Sequence, residues 1–405
     1  MALIFVHGVY TRKGPAYQLS LELKRQLFER HWTGMKVGGT SLDPVLLPGE
    51  QSFPYWGDLG AQFAWEMKSL PRDPGEALGA ADSAEATIAL AATLAEQYPA
   101  EAAAPEPLLA IAKTHLLPAA VALLTDAMIA SAKNDESAKT VGRELARITK
   151  LAVDEPLPAW LDDIQTDSGL VSALLYRANA GDPKADEALG VVSDAGRALQ
   201  RGVSAIGSAA ARLLGHAVDR GGNVLTRGLF DLTRPAFNRM IGMFLGDVFV
   251  YLTTRQNDAR GIVSHLSATL LAAREAAGPL VIVAHSLGGI VTYDLLSHFL
   301  PDLPVDLLVT VGSQVAHFEE LKLLAASDRE LPDASRPKVP KPSQVGRWIN
   351  VFDRADALSY VCGQVFEDVK DVPYNSHTHA IKAHSAYFEQ RDFYKLLRDE
   401  IEASA

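Results

Sequence analysis

Apolar positions along this chain keep two different rhythms. In the first, short runs are apolar at almost every position and are closed off by proline, glycine or charge. They are Ala2-Leu3-Ile4-Phe5-Val6, Pro279-Leu280-Val281-Ile282-Val283, Val305-Asp306-Leu307-Leu308-Val309-Thr310-Val311 and Arg347-Trp348-Ile349-Asn350-Val351-Phe352. Runs of this length are strands, and the lack of in-out alternation marks strands covered on both faces, as in a parallel sheet. Val369 to Asn375 reads as a weaker last strand. In the second rhythm apolar residues recur at three- and four-residue steps, the spacing of one helix face. Gly289 to Leu296, directly after the second run, is a helix of this kind. Strands alternating with helices predict an α/β fold with a mostly parallel central sheet.

From the segment ending near residue 60 to about residue 245 the spacing is helical, over roughly 190 residues, far more than a connection inside a compact α/β unit needs. The chain therefore divides into a core of residues 1–60 and 245–405 and an all-helical insertion, a cap or lid, of residues 61–244. Pro74 to Ala104 is rich in alanine and glutamate, and Asp154-Glu155-Pro156-Leu157-Pro158 and Asn179-Ala180-Gly181-Asp182-Pro183 read as breaks between helices. No fixed-period repeat is present. Leu199, Val203, Ile206, Ala210, Leu213 and Ala217 form an apolar stripe, with Arg197, Arg201, Arg212 and Arg220 off it. A second helix is expected to start with Thr233 as N-cap and Pro235 just inside. Its apolar face would run Phe237, Ile241, Phe244, Val248, Leu252, as core or as a lid over a site.

Charge narrows the choice of partner. The net charge is −11 and the isoelectric point about 5.5, so nothing would offset phosphate repulsion and nucleic acid is excluded as a general partner. Residues 195–240 run against this trend, with seven arginines and two aspartates. They form either a solvated helix face or a surface for peripheral contact with an anionic membrane or an acidic partner. The single cysteine, Cys362, allows no disulfide within the chain and suits a reducing, cytoplasmic setting. With a strand already starting at residue 2, no secretory signal is expected, and no apolar run has the length of a membrane span. Nothing here fixes an oligomeric state.

The chemistry concentrates where strands end. Ala284-His285-Ser286-Leu287-Gly288 joins the second apolar run to its helix, so a serine sits on a sharp strand-to-helix turn, a nucleophile elbow. Small residues two positions before and after the serine are needed because the backbone doubles back there. The first run ends in His7-Gly8, followed by the loop Val9-Tyr10-Thr11-Arg12-Lys13-Gly14. The fourth ends in Asp353-Arg354-Ala355-Asp356, two carboxylates at a carboxyl strand end, where open α/β sheets collect catalytic groups. Three histidines, His377, His379 and His384, follow the last strand. His377-x-His379 lacks the carboxylate or cysteine cluster that would complete a metal site.

The chain order of His-Gly, serine, aspartate and histidine resembles that of the α/β-hydrolase superfamily, in its lipase and esterase branch. The resemblance takes in residues 1 to 60 and 245 to 405, including Pro54-Tyr55-Trp56-Gly57-Asp58 and Phe244-Leu245-Gly246-Asp247-Val248. It implies an α/β-hydrolase fold in which Ser286 is the nucleophile and Val9 and Leu287 donate oxyanion-hole N–H groups. His7, Gly8, His285 and Gly288 would support them. Asp356 is the implied acid, with Asp353 as its competitor, and His384, in His-Ser-x-Tyr, is the implied base, with His379 as alternate. The expected activity is hydrolysis of carboxylic esters with hydrophobic acyl chains, a small-molecule or lipid substrate, through an acyl-enzyme, with no metal and no organic cofactor. Phospholipase, thioesterase, acyltransferase or peptidase chemistry uses the same triad, and a non-enzymatic scaffold built around the helical insertion is the more distant alternative.

Overall fold

The computed structural model describes residues 2–37, 40–42, 51–69, 90–131, 135–180, 194–219, 225–275, 278–376 and 380–403. Five strands form one sheet in the order β1 (Ala2–Val6), β4 (Leu280–His285), β5 (Val305–Val311), β6 (Val345–Asp353), β7 (Val369–Tyr374), all parallel. Two short strands, β2 (Met35–Val37) and β3 (Thr40–Leu42), pair with each other as a separate antiparallel ribbon. The parallel neighbours β4 and β5 are joined through α9 (Leu287–Asp294), and β5 and β6 through α10 (Val315–Glu320).

Side chains alternate across each strand with period two, and here both sets are apolar. Leu3, Phe5, Val281, Val283, Leu307, Val309, Ile349 and Val351 face α1 (Pro15–Trp32) and α12 (Arg391–Glu402), which bury Leu23, Phe28, Trp32, Phe393 and Tyr394 against them. Ala2, Ile4, Val6, Leu280, Ile282, Ala284 and Leu308 belong to a second core with Ile290 and Val291 of α9 and with Leu266 and Leu270 of α8 (Ile262–Glu275). The molecule is thus a three-layer α/β arrangement, and the continuous apolar runs follow from helices covering both faces. Parallel strands put all their carboxyl ends on one edge, where Val6, His285, Val311 and Asp353 finish.

The described part of the insertion is helical, as its spacing predicts. It contains α2 (Pro107–His115), α3 (Leu117–Ser131), α4 (Asp135–Asp154), α5 (Asp167–Ala178), α6 (Asp194–Asp219) and most of α7 (Leu225–Thr254), with residues 90–97 also helical. The remainder of the Ala- and Glu-rich stretch, 74–89, lies outside the described residues. Leu108, Leu124, Val141, Leu145, Leu170, Leu199 and Ile206 from these helices continue the same core as α1, so the insertion is seated on the α1 side of the sheet. On α6 the expected stripe is buried at Leu199, Ile206 and Ala210 and half-buried at Val203 and Leu213, with Arg197 and Arg212 exposed and Arg201 half-buried; the Ala217 side chain and Arg220 lie outside the described residues.

Helix α7 departs from the expectation in two ways. It starts at Leu225 and runs through 233–235, so Thr233 is not its N-cap and Pro235 lies inside it. A proline there removes a single hydrogen bond, which a 30-residue helix anchored at its far end tolerates. Its buried face is also turned from the expected one. Met243, Asp247, Val248 and Tyr251 are buried and Phe244 and Leu252 pack partly, while Ile241 is exposed with Leu245 and Phe249. Phe237 lies outside the described side chains. Among the described residues no helix is long and apolar enough to cross a membrane.

Candidate active site

Ser286 follows the last residue of β4 and precedes the first of α9, with φ 54° and ψ −128°. This backbone conformation costs a non-glycine residue about 1–3 kcal/mol and persists only where the surroundings over-determine it. Here they do. The Ser286 N–H donates to Val311 O at 3.0 Å, and its carbonyl accepts from Gly289 N–H and from Ser313 Oγ, both at 2.9 Å. The turn also needs room. A Cβ on Gly288 would lie 2.5 Å from Val6 O and 2.6 Å from His7 O, so the first turn of α9 touches the backbone at the end of β1.

Three side chains from distant parts of the sequence meet at this turn. Ser286 Oγ is 2.9 Å from His384 Nε2, and His384 Nδ1 is 2.9 and 3.1 Å from the two carboxylate oxygens of Asp356. Because a carboxylate only accepts, the network assigns the proton to Nδ1 and leaves Nε2 to accept from the serine hydroxyl. His384 comes from α11 (Ala380–Ala386) and Asp356 from the turn after β6. Asp356 is further held by the Leu358 N–H at 2.9 Å and by the Tyr387 hydroxyl, which donates at 3.0 Å. Burial first, and then the neighbouring Asp356, push the Tyr387 phenol pKa up, so it stays a donor.

The competing carboxylate has other work. Asp353 is buried, accepts from Ala355 N–H and Ser376 N–H, both at 2.8 Å, and closes the turn between β6 and the strand end of β7. Among the described residues it makes no contact with an imidazole. His377 and His379 lie outside the described residues.

The supporting positions take definite roles. His7 donates from Nδ1 to Gly8 O at 2.8 Å and accepts the Trp56 N–H on Nε2 at 3.0 Å, with its ring stacked on the Trp56 indole at 4.8 Å. Burial brings its pKa down to about 4, so it is neutral near pH 7. His285 donates from Nε2 to the backbone carbonyl of His384 at 2.7 Å; burial, reinforced by the nearby His384, holds its pKa well below the usual histidine range. It ties the residue before the serine to the residue that faces it. Gly8 lies against the serine itself: a Cβ there would be 2.6 Å from Ser286 Cβ and 3.2 Å from its Oγ. That contact sets the Gly8–Val9 peptide beside the hydroxyl. Among the described residues, no acceptor takes the N–H of Val9 or of Leu287.

Known families, curated proteins and solved structures offer no match to this chain. The imidazole is placed to accept the serine proton, and Asp356 is placed to stabilise the imidazolium that results. The serine has no exposed surface, and the His384 side chain beside it keeps 16 % of its own.

The tyrosine of His-Ser-x-Tyr, Tyr387, has a role the motif alone does not state: three residues after His384, on the same face of one helical turn, it donates to Asp356. Ser313, which holds the Ser286 carbonyl, left no signal in the sequence. Cys362 is buried, and burial pushes its thiol well above the usual range, which makes it a packed side chain. Among the described residues no group of three or more His, Cys, Asp or Glu side chains is arranged to hold a metal ion.

Proposed function

We propose that this protein is a serine hydrolase of the α/β-hydrolase type that cleaves carboxylic esters, with hydrophobic acyl groups as its substrate class. The observation that carries the reading is the unbroken chain from Ser286 Oγ to His384 to Asp356 on a strained strand-to-helix turn. The parallel sheet, with this turn at the carboxyl edge beside the first strand's His-Gly, supports the fold assignment. The apolar substrate preference draws on the surroundings of the turn, where Leu287 and Phe388 are buried and Tyr10 is exposed next to Val9.

In the proposed reaction His384 removes the Ser286 proton as Oγ attacks the ester carbonyl. Charge develops on the carbonyl oxygen, and the free N–H groups of Val9 and Leu287 stabilise it. His384 then delivers its proton to the departing alkoxide, leaving an acyl-serine, and water activated by the same imidazole releases the acid. Asp356 fixes the imidazole tautomer throughout. The proton transfers run between groups already in hydrogen-bond contact, Ser286 with His384 and His384 with Asp356.

A fluorophosphonate probe tests this directly. Labelling is expected at Ser286 in the folded protein and absent in Ser286→Ala; folded wild-type protein that does not label at Ser286 refutes the proposal. Hydrolysis rates across p-nitrophenyl esters of increasing chain length, beside thioester and phospholipid substrates, then rank the acyl chemistries that share this triad.

A further inference from the structure

The loop that carries Val9 is held from an unexpected direction. Asp247 lies on the buried face of α7, with no side-chain exposure, and its two oxygens take four donors. Tyr10 N–H donates at 3.0 Å, Ala61 N–H at 2.8 Å, and the Arg12 guanidinium donates through Nη2 at 2.7 Å and Nη1 at 3.3 Å. A buried carboxylate is tolerated only when it is saturated and paired in this way. Three of the four bonds go to the loop after β1.

That loop contains a strained residue. Tyr10 has φ 60°, a left-handed conformation that a bulky side chain rarely adopts. Its N–H belongs to the Val9–Tyr10 peptide plane, which Asp247 therefore fixes. The preceding plane is fixed as well, since Gly8 O accepts from His7 Nδ1 at 2.8 Å and from Thr11 Oγ1 at 3.2 Å. A trans peptide is rigid, so anchoring Gly8 O points the N–H of Val9 to the opposite side. Both planes flanking the Val9 Cα are thus clamped, and Asp247 supplies the outer one.

We infer that Asp247, with Arg12 as its counter-charge, is a positioning residue that aims the Val9 N–H at the developing oxyanion. The inference rests on the function proposed above. It gives the Gly246-Asp247-Val248 segment of α7 a task in the reaction, though it lies almost forty residues before the serine in sequence.

The test compares Asp247→Asn, Arg12→Lys and Arg12→Gln with the wild type on one p-nitrophenyl ester and on an alkyl boronic acid, whose tetrahedral adduct places a charged oxygen where the oxyanion forms. Asp247→Asn and Arg12→Gln are expected to lose about ten- to a hundredfold in kcat, the scale of a misaimed oxyanion donor, with KM within about twofold. Boronate affinity should fall in parallel with kcat/KM, the acid limb of the pH profile should not move, and Arg12→Lys should recover part of the loss. A purely structural residue would lower the melting temperature without this split. Arg12 is partly exposed, so its variants carry the test if Asp247→Asn does not fold. Folded variants with wild-type kcat and boronate affinity overturn the assignment alone. A wild-type protein that neither hydrolyses esters nor labels at Ser286 overturns the function and this assignment with it.

Discussion

Replacing Gly8 by alanine adds one methyl group at the tightest contact of the candidate site. Its Cβ would lie 2.6 Å from Ser286 Cβ, 3.0 Å from His285 O and 3.2 Å from Ser286 Oγ, whereas ordinary contact begins at 3.4 Å. About 0.8 Å of extra separation must therefore come from somewhere in a close-packed interior. The nearest atoms are a Cβ and a carbonyl oxygen, which cannot rotate aside. The strand end cannot move freely either, because Val6 is in register with Ala284 across the β1–β4 ladder. The displacement then falls on Ser286 and on the Gly8–Val9 peptide, stretching the 2.9 Å contact to His384 and shifting the Val9 N–H together. A misplacement near 1 Å costs about a hundredfold in rate, and overpacking costs about 1–3 kcal/mol in stability. The assay is kcat on a p-nitrophenyl ester beside urea unfolding, with Gly207→Ala as control, since a Cβ at that α6 position meets nothing within 4 Å. The control should keep wild-type kcat and gain about 0.5–1 kcal/mol. A folded Gly8→Ala protein with kcat within twofold of wild type would show that this glycine does not set the serine.

Asp356→Asn should fold, because the amide oxygen in the Oδ1 place still accepts from Leu358 N–H and the amide NH2 in the Oδ2 place can donate to the Tyr387 oxygen, yet lose about 10³–10⁴-fold in kcat as the imidazole takes the wrong tautomer; steady-state kinetics at constant melting temperature checks it. His7 titrates at about 4 when folded against 6.5 when free, so the unfolded chain takes up the extra proton between those values. Its contribution to stability is whole above pH 6.5 and is lost as pH falls through that window; His7→Gln should flatten the pH slope of the urea-unfolding free energy there by up to about 1.4 kcal/mol per pH unit. The Cys362 thiol should resist Ellman's reagent in native protein and react in full once urea unfolds the chain, and fast native reaction would contradict its burial.

The strands of the sheet were legible because strands covered on both faces leave unbroken apolar runs, and each of the four strong runs is a strand of the sheet. The insertion was legible as helix and much less so as packing. At α7 a local rule, threonine then proline, pointed to a helix start, and the backbone passes through it because the far half of the helix is anchored on the sheet by Val248 and Tyr251. Hydropathy also turned the helix face wrongly. It took Ile241 as inward, where Ile241 is exposed, and Asp247 is buried on the inner side because Arg12 and two backbone N–H groups satisfy its carboxylate. A partner some two hundred residues away leaves no mark on a local periodicity.

At the candidate site, the serine could be read because its turn needs small neighbours on both sides, and those are adjacent in sequence. The aspartates are harder, standing three residues apart on one turn with similar burial. They differ only in their partners: Asp353 takes backbone N–H groups at 355 and 376, and Asp356 takes the imidazole and a phenol. Tyr387 joins the two, since its hydroxyl donates to Asp356 and accepts the Asp353 N–H at 3.0 Å. His384 and Tyr387 come from one helical turn, so a shift of that turn carries the base and the group holding its acid together. The serine arrives on β4 and is tied to that turn through His285, whose Nε2 donates to the His384 carbonyl, while its own backbone is packed against the end of β1 at Gly8 and Gly288. The reactive distance is therefore most sensitive at those glycines, where the sequence offers no flexible side chain to absorb an error.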